Sequence, residues 1–150
     1  MTFLLDANVL LRSAEPGHRQ HAEAADAVRV LLRRGDDLVI VPQSVYEFWA
    51  AATRPVANNG LGMTPAEAAA EVAGVQARFA LRPDTPAVFP VWQGLVTAHA
   101  VRGKPTHDAR LVAAMLVHGL AHLLTFNVSD FGRYRAITAH DPAAVALAPP

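Results

Sequence analysis

Apolar positions along this chain follow two rhythms. Short unbroken runs, too short for a helix, occur at Phe3-Leu4-Leu5, Leu38-Val39-Ile40-Val41 and His122-Leu123-Leu124-Thr125-Phe126. They read as strands, with Ala87-Val88-Phe89 and Arg135-Ala136-Ile137-Thr138 as two more. Between them the apolar residues recur at helical spacing. Residues 18–34 carry Ala24, Val28 and Leu31 or Leu32 on one face. Residues 43–53 read as a helix that Arg54-Pro55 ends. Thr64-Pro65-Ala66-Glu67 has a capping Thr, Pro at the first position and Glu three after the cap, and Ala68, Val72, Val75 and Phe79 then form one stripe. Residues 92–101 and 106–118 read as two further helices, and residues 58–62 as a turn-rich loop.

Strands alternating with helices predict an α/β fold. The expected form is a three-layer α/β/α sandwich around a mostly parallel sheet of about five strands, formed by the whole chain (1–150) as one domain. In such sheets ligands bind at the carboxyl ends of strands, which says where to look for chemistry.

Composition narrows the function. The 150 residues are 52% hydrophobic and 17% charged, enough apolar material for a sizeable core. Formal net charge is zero, so broad electrostatic binding of nucleic acid is disfavoured and any RNA must be held by a local patch and a bound metal. The absence of cysteine removes disulfides, zinc–thiolate sites and cysteine nucleophiles. No apolar run approaches the roughly 20 residues of a membrane helix, and the amino terminus lacks the pattern of a signal peptide, so a cytoplasmic location is expected.

The acidic residues in unusual settings then stand out. Asp6 ends an apolar strand, where it either caps the next helix or faces a site. Glu47 interrupts Val45-Tyr46-Glu47-Phe48-Trp49, where a buried charge is costly unless paired or bound to metal; the alternative is an exposed stripe with Gln43 and Arg54. Asp108 falls in a first helical turn that favours a carboxylate through the dipole, yet it shares a stripe with Leu111, Val112 and Met115. Asn127 and Asp130 follow another strand end, as site residues or as a polar turn.

Two carboxylates about 4 Å apart repel by roughly 4 kcal/mol at an effective dielectric near 20. Several gathered in one cleft therefore call for a cation. Oxygen-only ligands select a hard ion, Mg2+ or Mn2+, and such an ion activates water and orients phosphate, the chemistry of phosphodiester hydrolysis. The histidines are scattered without metal-ligand spacing; His107, beside Asp108, either helps hold substrate or supports the helix start.

These segments, in order, resemble the PIN-domain ribonucleases, especially the VapC-type toxins of bacterial toxin–antitoxin pairs. The resemblance rests on Leu4-Leu5-Asp6-Ala7-Asn8-Val9-Leu10, Val45-Tyr46-Glu47 with Thr53-Arg54-Pro55 and Asn59-Gly60-Leu61, His107-Asp108-Ala109-Arg110-Leu111, and the run from Leu124 to Phe131. It implies a PIN-like sandwich and a metal-dependent endoribonuclease, the toxin of a type II toxin–antitoxin system. Asp6, Glu47 and Asp108 would then be the core acids around Mg2+ or Mn2+, with Asp6 and Asp108 as direct ligands. Thr125 would orient water or a ligand. Many such domains have an aspartate where this chain has Asn127; an amide oxygen can coordinate but adds no charge, and Asp130 would substitute for it. The resemblance also implies an RNA substrate, a cognate antitoxin and a homodimer.

Two other readings compete. A haloacid-dehalogenase-type phosphatase would want a second aspartate two residues after Asp6, where Asn8 stands, and a site lysine, whereas Lys104 lies in a Gly-Lys-Pro turn. A non-catalytic PIN-like module that binds RNA or protein is left open by Asn127.

Overall fold

The computed structural model describes residues 1–149. Thr2–Leu5 (β1) is the middle strand of a five-stranded sheet. Asp37–Ile40 (β2) and His122–Leu124 (β4) flank it, and Ala80–Leu81 (β3) and Thr138–His140 (β5) form the edges, in the order β3-β2-β1-β4-β5. Every pairing is parallel, with Leu4 opposite Val39 on one side and Leu123 on the other. Parallel neighbours need crossover connections, and helices supply them here. They are Ala7–Ser13 (α1), His21–Arg33 (α2), Pro42–Thr53 (α3), Pro65–Arg78 (α4), Val88–Ala98 (α5), Pro105–Val117 (α6) and Pro142–Leu147 (α7).

Successive strand residues point to opposite faces, so the sheet buries two cores. Phe3, Leu5 and Ile40 pack against Val9 of α1, Leu31 of α2, Phe48 of α3 and Val145 of α7. Leu4, Val39 and Leu123 pack against Leu111, Val112 and Met115 of α6, with Trp92 of α5 alongside. This is the expected three-layer α/β/α arrangement around a parallel sheet. Burial on both faces explains why β1, β2 and β4 read as unbroken apolar runs.

Two predicted strands are corrected. Val88 and Phe89 open α5 instead of forming the third strand. Pro90 lies in the first turn of that helix, where its missing N–H has no intrahelical partner to lose. The third strand is instead the two-residue, exposed β3 that directly follows α4. The fifth strand lies later than predicted: residues 135–137 form a turn and pairing starts at Thr138. The helix expected from residue 18 starts at His21, and α7, capped by the Asp141 carboxylate on Ala143 N (2.8 Å), was not anticipated. No helix among the described residues is long and apolar enough to cross a membrane.

The segment after α3 is closed by a glycine. Leu61 N, Gly62 N and Met63 N donate to the carbonyls of Ala51, Arg54 and Ala52 at 3.2, 2.9 and 2.9 Å, satisfying the end of the helix. A Cβ at Gly60 would sit 1.8 Å from Arg54 O, so only glycine fits that approach.

Candidate active site

The register of the central strands builds the site. Leu5 pairs with Leu124, so the next residues, Asp6 and Thr125, emerge side by side at the carboxyl edge. Asp6 N donates to Leu124 O (3.1 Å), and Asp6 then leaves the strand and caps α1, its Oδ1 accepting from Ala7 N at 2.7 Å. The capping role and the site role therefore coincide. Its Oδ2 accepts from Thr125 Oγ1 (2.7 Å) and from Asn8 Nδ2 (3.2 Å). Asn8 Nδ2 also donates to Thr125 Oγ1 (3.1 Å), while Asn8 Oδ1 accepts from Phe126 N (3.2 Å) and Thr125 Oγ1 from Asn127 N (3.0 Å). Thr125 is fully buried and Asp6 is 7% exposed. The carboxylate is thus clamped between the ends of β1 and β4.

Asp108 lies half-buried in the first turn of α6. It is not the cap, a place taken by Lys104 without a side-chain bond. Asp108 shares a cleft of about 490 Å3 with Lys104, His107, Ser129, Asp130 and Arg133. Asp130 is exposed on a one-turn 3-10 helix, Val128–Phe131, that follows β4. Asn127 is exposed just before it. Glu47 lies on the exposed side of α3 with Arg54, whereas Gln43, expected on the same exposed stripe, is buried and donates from Nε2 to Glu47 at 3.0 Å.

Electrostatics ties these positions together. The Asp6 carboxyl is pushed up to about 6, chiefly by burial and further by the negative charges of Glu47 and Asp130, against the hydrogen bonds from Thr125 and Ala7. The Asp108 carboxyl is also raised to about 6, first by burial, then by Asp130 and Asp6, with His107 and Arg133 opposing. Four carboxylates therefore share one field.

No three His, Asp or Glu side chains close around a common point among the described residues. The set is open, unlike a preformed cage. Mg2+ suits an open set, because it usually keeps several waters and takes one or two carboxylates. The donors are all oxygens, and their mutual repulsion is what a divalent cation would relieve. In donor chemistry the residues fit the ion.

Sequence reasoning passed over three polar side chains here. Asn8 entered within the Leu4–Leu10 segment and as an argument against a phosphatase, with no site role, yet it braces both Asp6 and Thr125. Gln43, 5% exposed, donates to Glu47 and to His107 O (2.7 Å) and accepts from Arg110 Nη1 (3.0 Å). Ser44, fully buried, donates to Leu5 O at 2.9 Å and so holds the start of α3 against β1. The one available signal was position: Asn8 lies just beyond one strand end, and Gln43 and Ser44 just beyond another.

No protein-family model matches the sequence, and no curated protein matches it. Solved structures do match. VapBC2 from Rickettsia felis bound to a promoter DNA fragment superposes with a TM-score of 0.70 at 10% identity, over 94% of this chain and 98% of that one. DNA-bound VapBC from Salmonella typhimurium gives 0.64 at 20% identity, over 95% and 98%. VapC20 of Mycobacterium tuberculosis, a toxin that cleaves the sarcin-ricin loop, gives 0.61 at 15% identity, over 81% and 86%. With its five parallel strands and the order of its helices, this chain has the PIN-like fold of the VapC-type toxins.

Proposed function

We propose that this chain is an endoribonuclease dependent on Mg2+ or Mn2+, acting as the toxin of a type II toxin–antitoxin pair. One observation carries the reading: Asp6, clamped at the carboxyl edge of the parallel sheet, shares one field with Glu47, Asp108 and Asp130, and burial together with that repulsion raises the Asp6 and Asp108 carboxyls to about 6. Such strain is expected where a cation belongs.

Asp6 and Asp108 would hold the ion directly, with Glu47 and Asp130 reaching it through water and Asn127 offering an amide oxygen. The bound ion would supply an acidified water and charge neutralisation at the scissile phosphate. The chain's own residues do the rest. Thr125 and Asn8 fix one oxygen of Asp6, leaving its orientation no freedom. Gln43 steadies Glu47, whose exposed carboxylate would take a proton from the attacking water. Lys104 and Arg133, on the rim of the Asp108 cleft, supply the local positive patch for phosphate that zero net charge demands.

The test is cleavage of RNA by the purified chain with Mg2+ or Mn2+, stopped by a chelator. Asp6→Asn and Asp108→Asn should each abolish cutting while circular dichroism stays unchanged. Chelator-resistant cleavage, or full activity in both variants, overturns the mechanism.

The open spacing of the acids favours a second reading, a non-catalytic module that binds RNA or protein. RNA affinity without turnover under every divalent metal would decide for it. The partners follow from the toxin reading. A groove of about 270 Å3 with a mixed lining, apolar at Val28, Leu32 and Val75 and charged at Arg29, Glu71 and Arg78, offers an antitoxin segment a seat. Exposed Tyr46 and Trp49 on α3 offer a second copy of the chain a contact, testable by light scattering. A cytoplasmic site of action belongs to the same toxin reading.

A further inference from the structure

A second depression lies on the same carboxyl edge as the acids. Arg82 N donates to Ile40 O (2.8 Å), so the residues after β3 leave from the ends of β3 and β2. There Asp84, Thr85, Val88, Phe89, Trp92 and Arg110 line a pocket of about 420 Å3, within the roughly 300–1,000 Å3 of ligand pockets. Its composition differs from that of the acidic cleft. Phe89 is 64% exposed, and its ring lies 5.9 Å from that of Trp92 at 32°. Trp92 is fixed in place by donating from Nε1 to Thr106 O at 2.9 Å. Beside these rings the Thr85 hydroxyl oxygen is buried with no hydrogen-bond partner among the described residues.

We propose that this pocket receives an unpaired nucleobase of the RNA strand that the acids cut, a reading that rests on the ribonuclease function above. Aromatic rings beside polar groups are how proteins take up splayed-out bases, by stacking plus contacts to the base edge. Arg110 uses Nη1 on Gln43 (3.0 Å) and Nη2 on Asp84 (3.1 Å), and a guanidinium has five donors, so donors remain for a base edge. Asp84 adds an acceptor and makes the pocket unsuited to phosphate. Continuity with the acids is direct: Gln43, bonded to Arg110, also bonds Glu47 and the carbonyl of His107 in the acidic cleft. A single strand held at the acids would therefore lay a neighbouring nucleotide over Phe89.

The chain has two tryptophans, so Trp49→Phe leaves Trp92 as the sole reporter. In this background, with chelator present to prevent cleavage, the protein is titrated with a short single-stranded oligoribonucleotide and with its abasic counterpart. The bases should quench Trp92 fluorescence and the abasic strand should not. Phe89→Ala should weaken oligonucleotide binding about tenfold, the scale of one lost base stack, and raise KM for cleavage with kcat unchanged, while Phe89→Tyr restores both. If RNA is cleaved but bases fail to quench and Phe89→Ala leaves affinity and KM unchanged, the pocket assignment falls and the nuclease stands. If bases quench but no metal supports cleavage, the nuclease falls and the base pocket stands. If Phe89→Ala alters only the oligomeric state, the face is a contact between copies and the assignment is overturned.

Discussion

Asp6 is the residue on which burial, repulsion and hydrogen bonding meet. Its folded carboxyl titrates near 6, above the ordinary value of 3.8. A raised carboxyl binds its proton more tightly in the folded state than in the unfolded one. The metal-free protein should therefore lose stability as pH rises from about 4 to about 6, at up to about 1.4 kcal/mol per pH unit for this buried group. Asp108 should add a smaller loss of the same sign, discounted for its exposure. Asp6→Asn, which keeps an oxygen for Ala7 N but loses the acceptor for Asn8 Nδ2, should flatten this pH dependence, and Mg2+ should stabilise the parent more than the variant. Affinity for Mg2+ should rise with pH through about 6, as both carboxyls ionise. A metal-free melting temperature that is flat from pH 4 to 7, in both parent and variant, would mean that the acids are not strained. Thr125→Val tests the clamp separately. It removes the donor to Asp6 and the acceptor for Asn127 N, and groups that orient a metal ligand typically matter about 10–100-fold in metal affinity or activity.

At the scale of elements, α3 carries more of the site than its sequence suggests. Gln43 and Ser44 at its start join β1, α6 and Glu47, and its far end is closed by the loop through Gly60. Gly60→Ala would drive a Cβ into the Arg54 carbonyl, so the loop must shift and the last turn of α3 loosens. Urea unfolding should show a loss of about 1–3 kcal/mol or more, typical of overpacking, while Gly74→Ala, in open space on α4, should leave stability level or improve it. This contrast also marks what the sequence could express. β1, β2 and β4 were legible because burial on both faces requires unbroken apolar runs. β3 was not, since two exposed residues carry no pattern and their pairing depends on the whole sheet. Asp6 and Asp108 were legible from strand-end and helix-start position. The clamp was not, because Thr125 and Asp6 lie 119 positions apart and Gln43 and His107 lie 64 apart, and only the folded register brings each pair together.

At the scale of the whole molecule, the charge distribution limits how the proposed RNA substrate would be held. Positive and negative side chains balance to a net of zero, so no long-range field gathers a polyanion. What the fold provides is local: Lys104 and Arg133 beside the Asp108–Asp130 cleft, on the same edge as the Asp6 clamp. Affinity should then come from few phosphate contacts plus whatever the bases add, and its salt dependence should be shallow. For single strands the slope of log affinity against log salt is about −0.7 per neutralised phosphate, so two such contacts give about −1.4. Arg133→Gln should reduce that slope by about 0.7 and weaken all sequences alike, because a phosphate contact carries no sequence information. A slope several times steeper would require more phosphate contacts than Lys104 and Arg133 supply, and would place the binding face away from the acids. An unchanged slope in Arg133→Gln would remove the Asp108 cleft from the path of the RNA, and with it the reason for assigning the acids to phosphodiester chemistry.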